Sequence, residues 1–280
     1  MGLSPEQRRL LFRYDRDASL DASEPVTSCA AGVRSERFAY FSAHGQRVPA
    51  VLYRPAAAAA PRPLLLIGHG AGASKDEPLM RQLFEHWAGE GFACLCIDAP
   101  FHGERGQHIS DPTVVLRQPF RGLEFVTQYV VDTMRAVDWA ETRPDLDTAR
   151  IGYAGFSMGS ILGVPFVAME PRVRTAVFAL GGAGLLHFFA LQAPAERRHD
   201  AETVADACDP LHYAPLIAPR PVLMVNGTQD AIIPPVLGHA LFSALKEPRR
   251  AIWYEGGHGD IPRDDIDEMR RFLLETLRPD

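Results

Sequence analysis

Apolar residues along this chain gather in short runs, separated by longer stretches where apolar and polar positions alternate at helical spacing. The runs are Leu64–Ile67, Phe92–Ile97, Arg150–Ala154, Val173–Leu180, Val222–Val225 and Ala251–Tyr254, several of them apolar throughout. A strand reads as continuously apolar when helices cover both faces of its sheet. Between the runs lie helix candidates at Glu77–Gly89, Gly122–Glu141, Met158–Ala168, Val236–Leu245 and Asp264–Leu277. This alternation predicts an α/β fold: a mostly parallel sheet with helices on both faces.

The N-terminal part reads differently. From Glu36 to Tyr53 the pattern is strand-like, with Phe38 and Tyr40, then Val48, Val51 and Tyr53, flanking a hairpin turn at His44-Gly45-Gln46. Before it, Ser4 caps a helix with Pro5 at its first position and Gln7 reaching back, expected to run to about Asp15. Residues 1–35 are therefore expected as a helical extension that could cover an edge or make a subunit contact, as in a homodimer. Ala56–Ala60, enclosed by Pro55, Pro61 and Pro63, reads as an exposed linker. Gly181–Pro219 is longer than an ordinary connection. It opens apolar through Gly184–Leu191 and turns charged at Glu196–Asp200, which suits a small cap over a site; filling of the core is the other reading. With no repeat and no internal linker that suggests a second domain, residues 1–280 are expected to form one domain.

Composition narrows the function classes. The 280 residues are 46% hydrophobic and 23% charged, with a net charge of −6. Those are the proportions of an ordinary globular protein, and the sign gives no nucleic-acid footprint. Cys29, Cys94, Cys96 and Cys208 have no metal-ligand spacing, and Cys94 and Cys96 would face the same side of a strand. They read as free buried thiols, which suit a reducing compartment. The N-terminus lacks the apolar core of a signal peptide, and no stretch approaches the ~20 apolar residues of a membrane span. The expectation is a cytoplasmic protein that binds neither membrane nor nucleic acid.

The strongest chemical signal is Gly155-Phe156-Ser157-Met158-Gly159, which fits G-x-S-x-G between a strand and a helix. The turn must be sharp enough to lift the serine oxygen above the sheet, and glycines let strand and helix approach. Ser160, on the helix, reads as structural. Asp230 follows a strand through Asn226-Gly227, and His258 lies in the loop Glu255–Gly259 after another. A carboxylate accepting from a histidine Nδ1–H leaves Nε2 free to take the serine proton. Asp206 and Asp209, ahead of their strand, are poorer acids. In Asp98-Ala99-Pro100-Phe101-His102-Gly103-Glu104-Arg105, His102, Glu104 and nearby His108 lack partners at ligand spacing, so no metal is expected. A loop-bracing role is preferred there, with Phe101 toward the acyl pocket.

Gly68-His69-Gly70-Ala71-Gly72, the serine pentapeptide, Asn226-Gly227-Thr228-Gln229-Asp230 and Gly257-His258-Gly259-Asp260, in that order, resemble the α/β-hydrolase superfamily. Within it they are most similar to the dienelactone hydrolase-like serine esterases. The resemblance spans roughly residues 36–278. It implies an eight-stranded sheet whose first two strands are the N-terminal hairpin, and a triad of Ser157, Asp230 and His258. It also implies an oxyanion hole from the backbone N–H groups of Ala71 and Met158, with His69 bracing the loop. The longer H-G-G-G form is absent, which favours this branch over the hormone-sensitive-lipase-like one. The expected reaction is hydrolysis of a small to medium carboxylic ester through an acyl-enzyme, without a cofactor. Leu185, Phe188 and Phe189 are expected, with Phe101, to line the pocket. A prolyl-oligopeptidase-like peptidase, a thioesterase, an acyltransferase and a catalytically silent binding protein are the alternatives.

Overall fold

The computed structural model describes residues 3–43, 45–57, 60–106, 118–184 and 195–278. Among these, nine strands form one sheet: β1 (Val26–Ala30), β2 (Val33–Phe41), β3 (Arg47–Pro55), β4 (Arg62–Gly68), β5 (Ala93–Ile97), β6 (Leu146–Phe156), β7 (Val173–Ala179), β8 (Val222–Gly227) and β9 (Arg249–Tyr254). Their order is β1-β2-β3-β5-β4-β6-β7-β8-β9. β1, β2 and β3 are antiparallel, β3 meets β5 antiparallel, and β5 through β9 are parallel.

Alternation along the strands separates two cores. Leu64 and Leu66 of β4 face one side, where α3 (Pro119–Glu141), α4 (Met158–Met169) and α6 (Pro235–Ala244) pack. Leu65 and Ile67 face the other, against α2 (Pro78–Gly89) and α7 (Arg263–Thr276). Cys94 and Cys96 share that second side, as a two-residue period requires. They and Cys208 are buried and free, whereas Cys29 is free but exposed. Register then places the loops. Gly68 pairs with Gly155 and Gly227 with Tyr254, so the loops after β4, β6, β8 and β9 leave the same carboxyl edge. That edge is where an open α/β sheet collects its functional groups.

The sheet has one strand more than the eight expected. The addition is β1, paired from Val26↔Arg37 to Ala30↔Val33 across a two-residue turn in which Ala31 and Gly32 both have positive φ. Val26-Thr27-Ser28-Cys29-Ala30 is an edge strand with all five residues exposed, so burial imposes no alternation on it. Residues 1–35 are thus not purely helical. α1 (Pro5–Leu10) carries the expected reciprocal Ser4–Gln7 cap but stops well short of Asp15. The following segment extends over α3, where the buried Arg135 guanidinium donates to the carbonyls of Arg16 (3.0 Å) and Ala18 (2.6 Å).

The long connection after β7 contains α5 (Arg198–Cys208), whose Val204, Ala205, Ala207 and Cys208 are buried. Asp209 closes its base, its carboxylate accepting from the Gly184 N–H at 2.8 and 3.0 Å and from the Leu211 N–H at 3.0 Å. Leu185, Phe188 and Phe189 lie outside the described residues. No helix among the described residues is long and apolar enough to cross a membrane.

Candidate active site

Ser157 stands between β6 and α4 at φ 53°, ψ −114°. A non-glycine residue seldom adopts this conformation, and such strain persists only where the surroundings hold it. Here they do. The Ser157 N–H donates to the Ala179 carbonyl at 2.9 Å, and the Gly159 N–H to the His69 carbonyl at 3.0 Å. A Cβ on Gly155 would come within 2.4 Å of the Gly159 oxygen, and one on Gly159 within 2.2 Å of the Gly68 oxygen. The flanking glycines are therefore a steric requirement of the turn. Beneath it, the buried Tyr153 hydroxyl donates to the Gly159 carbonyl at 2.5 Å and lies 3.0 Å from the Tyr129 hydroxyl. Burial pushes both phenols up, so the pair stays protonated. Nothing in the sequence motifs points to these two tyrosines. Ser160 is fully buried against Gly181, just past β7, its Oγ without a hydrogen-bond partner among the described residues.

The three predicted triad residues meet. His258 Nε2 lies 2.9 Å from Ser157 Oγ, and His258 Nδ1 lies 2.7 Å from Asp230 Oδ2. The other Asp230 oxygen accepts from the N–H groups of Ile232 (2.8 Å) and Ile233 (2.9 Å), so the buried carboxylate is held from both sides. The acid and histidine loops are stitched together by Thr228 N–H to the Tyr254 carbonyl and Gln229 N–H to the Gly256 carbonyl, each 2.9 Å. The Tyr254 hydroxyl donates to the Gly257 carbonyl at 2.8 Å. Of the glycines beside His258 in this braced loop, Gly259 holds a left-handed φ of 93°, and a Cβ on Gly257 would come within 3.0 Å of the Asp260 carboxylate. Asp206 and Asp209 are elsewhere: Asp206 lies 3.8 Å from His212, and Asp209 holds the base of the insertion.

After β4 the chain turns through Gly70, where a Cβ would lie 3.6 Å from the Ser157 Cβ. His69 Nε2 accepts from the Ala99 N–H at 3.1 Å, so the ring's proton sits on Nδ1 and donates to the Gly70 carbonyl at 2.8 Å. That carbonyl and the Ala71 N–H belong to one trans peptide and point in opposite directions. The Met158 N–H opens α4 and has no intrahelical partner. His69 is the expected brace, and it is neutral, because burial pushes its pKa down to about 4. An unfolded histidine titrates near 6.5. The stabilisation from a neutral His69, on the order of 3 kcal/mol, is complete above pH 6.5 and lost as pH falls through 4. Burial also lowers the pKa of His102, which acts in the same direction. Urea midpoints should therefore drop between pH 6.5 and 4. His69→Asn keeps a donor for Gly70 but does not titrate there, so its midpoints should drop less steeply; parallel curves would refute the assignment.

The loop after β5 is braced through Asp98, which is fully buried. Its carboxylate accepts from the Lys75 amine (2.9 Å) and from the N–H groups of Lys75 and Glu104 (both 3.0 Å). Burial opposes the Lys75 charge, but hydrogen bonds to Glu104 and Asp98 outweigh it and raise the amine above its ordinary range. Lys75 went unremarked in the sequence; its signal was a lone lysine just past the glycine-rich loop. His102 Nδ1–H donates to the Pro100 carbonyl at 2.9 Å, and Glu104 bonds to Lys75. Phe101 has φ 63° and stacks on Phe125, ring centroids 6.1 Å apart.

The model of the dienelactone hydrolase family matches residues 48–259, a span that includes Ser157, Asp230 and His258. The chain belongs to that family. This dienelactone hydrolase family member is 30% identical over 157 residues to the uncharacterized protein Rv2307c of Mycobacterium tuberculosis, covering 52% of each chain. It is 23% identical over 204 residues to the putative hydrolase YtaP of Bacillus subtilis, covering 68% of this chain and 67% of that one. The chain thus spans about half to two thirds of the length of these two curated relatives. Among solved structures, the acetyl xylan esterase of Paenibacillus sp. R4 superposes with a TM-score of 0.79 at 20% identity, over 97% of this chain and 93% of that one. A cold-adapted esterase from an Arctic intertidal metagenomic library gives 0.71 at 22%, over 90% and 97%. At such identities the likeness is one of fold: the α/β-hydrolase fold.

Proposed function

We propose that this protein hydrolyses small to medium carboxylic esters through a serine acyl-enzyme. The observation that carries the reading is the unbroken line from Asp230 Oδ2 through His258 to Ser157 Oγ, at 2.7 and 2.9 Å. Family membership and structural neighbours described as esterases support the same reaction class. In the first half-reaction Ser157 Oγ bonds to the ester carbon as its proton passes to His258 Nε2. The carbon–oxygen bond to the alcohol then breaks, and His258 returns the proton to the departing alkoxide. Water repeats the sequence on the acyl-enzyme, releasing the acid and restoring the serine. Asp230 stays ionised and steadies the imidazolium, while the N–H groups of Ala71 and Met158 receive the oxyanion. No cofactor enters. The buried free thiols Cys94, Cys96 and Cys208 fit a reducing cytoplasm.

The reading is tested by turnover of short nitrophenyl esters together with covalent labelling of Ser157 by a fluorophosphonate. A protein that does neither is a silent scaffold. The oxyanion assignment has its own test, because Ala71→Pro deletes a backbone N–H that side-chain changes leave alone. Loss of one donor should lower turnover 10²–10³-fold, about 3 kcal/mol. Ala71→Gly keeps the N–H and should lose far less. Equal losses in the two variants would assign the effect to loop shape.

A further inference from the structure

We infer that the half-buried rings of Phe101 and Phe125, backed by the buried His102 and with Leu123 and Met158 beside them, receive the acyl group of the substrate, and that this group is apolar and larger than acetyl. The inference rests on the ester-hydrolase reading above.

Proton transfer decides which side of the serine is which. His258 must protonate the leaving oxygen, so the alcohol lies on the His258 side of Ser157. The sheet order puts β8 and β9 on that side of β6, and β4 and β5 on the other. With the oxyanion turned to the N–H groups of Ala71 and Met158, the acyl group leaves the carbonyl carbon on the side away from His258, which is the side of the loops after β4 and β5.

A run of short separations leads there. Gly70 lies beside Ser157, and the His69 ring next to it is 5.4 Å from that of His102. His102 stacks on Phe125 at 6.1 Å and 29°, and Phe125 on Phe101 at 6.1 Å and 25°. Met158, immediately after the serine, packs on the same apolar cluster as Leu123 and Phe125. Phe101, Leu123, Phe125 and Met158 are all partly exposed. They give a partly exposed apolar face that starts at Met158, the residue after the nucleophile.

Phe101 adds an independent observation. The His102 N–H donates to the Ala99 carbonyl at 3.0 Å, with proline second and a positive φ third in the turn. These are the features of a type II turn, whose third position suits glycine. A phenylalanine there adopts a backbone conformation that glycine reaches without strain, and places a ring on the open face. Backbone strain alone would favour glycine; a ring that contacts substrate gives the phenylalanine a use.

The test compares two substrate series. One varies the acyl group of nitrophenyl esters: acetate, butyrate, hexanoate and benzoate. The other varies the alcohol of acetate esters: methyl, butyl and benzyl. Wild type should prefer butyrate or benzoate to acetate in kcat/KM. Phe125→Ala and Phe101→Gly should each lower the butyrate-to-acetate or benzoate-to-acetate ratio by roughly 10–200-fold, the range hydrophobic pockets achieve. Phe101→Gly relieves the strained φ while losing the ring stacked on Phe125, and a melting curve for each variant separates misfolding from a change of preference. A wild-type preference for acetate, acyl ratios unchanged in both variants, or a change confined to the alcohol series would overturn the inference while leaving the hydrolase reading intact. Failure of wild type to hydrolyse any ester or to label at Ser157 would sink both.

Discussion

Ser157→Ala is expected to abolish ester hydrolysis and leave the fold in place. Loss of a triad serine lowers turnover by on the order of 10⁶. Alanine keeps the Cβ, so the backbone at φ 53° is no more strained than before, and the bond from residue 157 N–H to the Ala179 carbonyl remains. What disappears is the oxygen 2.9 Å from His258 Nε2, at a half-buried position where water can take its place. Turnover of a nitrophenyl ester and a melting curve give the two readouts. Residual activity above one per cent would remove Ser157 from the reaction. Ser160→Ala is the control: its buried hydroxyl has no partner among the described residues, so its removal should be nearly neutral.

The contrast between those two serines shows what the sequence could convey. Ser157 was legible because its chemistry needs a special backbone, and that backbone needs small residues at fixed distances. Gly155 and Gly159 answer to contacts of 2.4 and 2.2 Å that no side chain could survive. The parallel strands were legible for a related reason, since burial on both faces leaves their central residues mostly apolar. β1 was not, because a fully exposed strand is subject to no such demand. Lys75 and the Tyr129–Tyr153 pair were missed for another reason. Their partners are 23 and 24 positions away in sequence, at no spacing that any local period supplies. Local patterns report the backbone's needs; what braces a site from across the sheet leaves no local mark.

Asp230→Asn should lower turnover by roughly 10⁴ with little loss of stability, and the reason is the position of one proton. An asparagine at 230 can still accept from the N–H groups of Ile232 and Ile233 through Oδ1, as the aspartate does at 2.8 and 2.9 Å. Its Nδ2 would then face His258 Nδ1, where a carboxylate oxygen stood 2.7 Å away. An amide donates, so Nδ1 must accept, and the imidazole proton moves to Nε2. That nitrogen can no longer take the proton of Ser157. Asp209→Asn should behave differently. Its carboxylate serves the Gly184 and Leu211 N–H groups at the base of the insertion, so weakening it should lower the melting temperature more than turnover. Asp206, exposed beside His212, should tolerate Asn with neither effect. If Asp230→Asn turned over near the wild-type rate while Asp206→Asn or Asp209→Asn were inactive, the acid of this site would lie in the insertion, and the 2.7 Å contact to His258 would be structural.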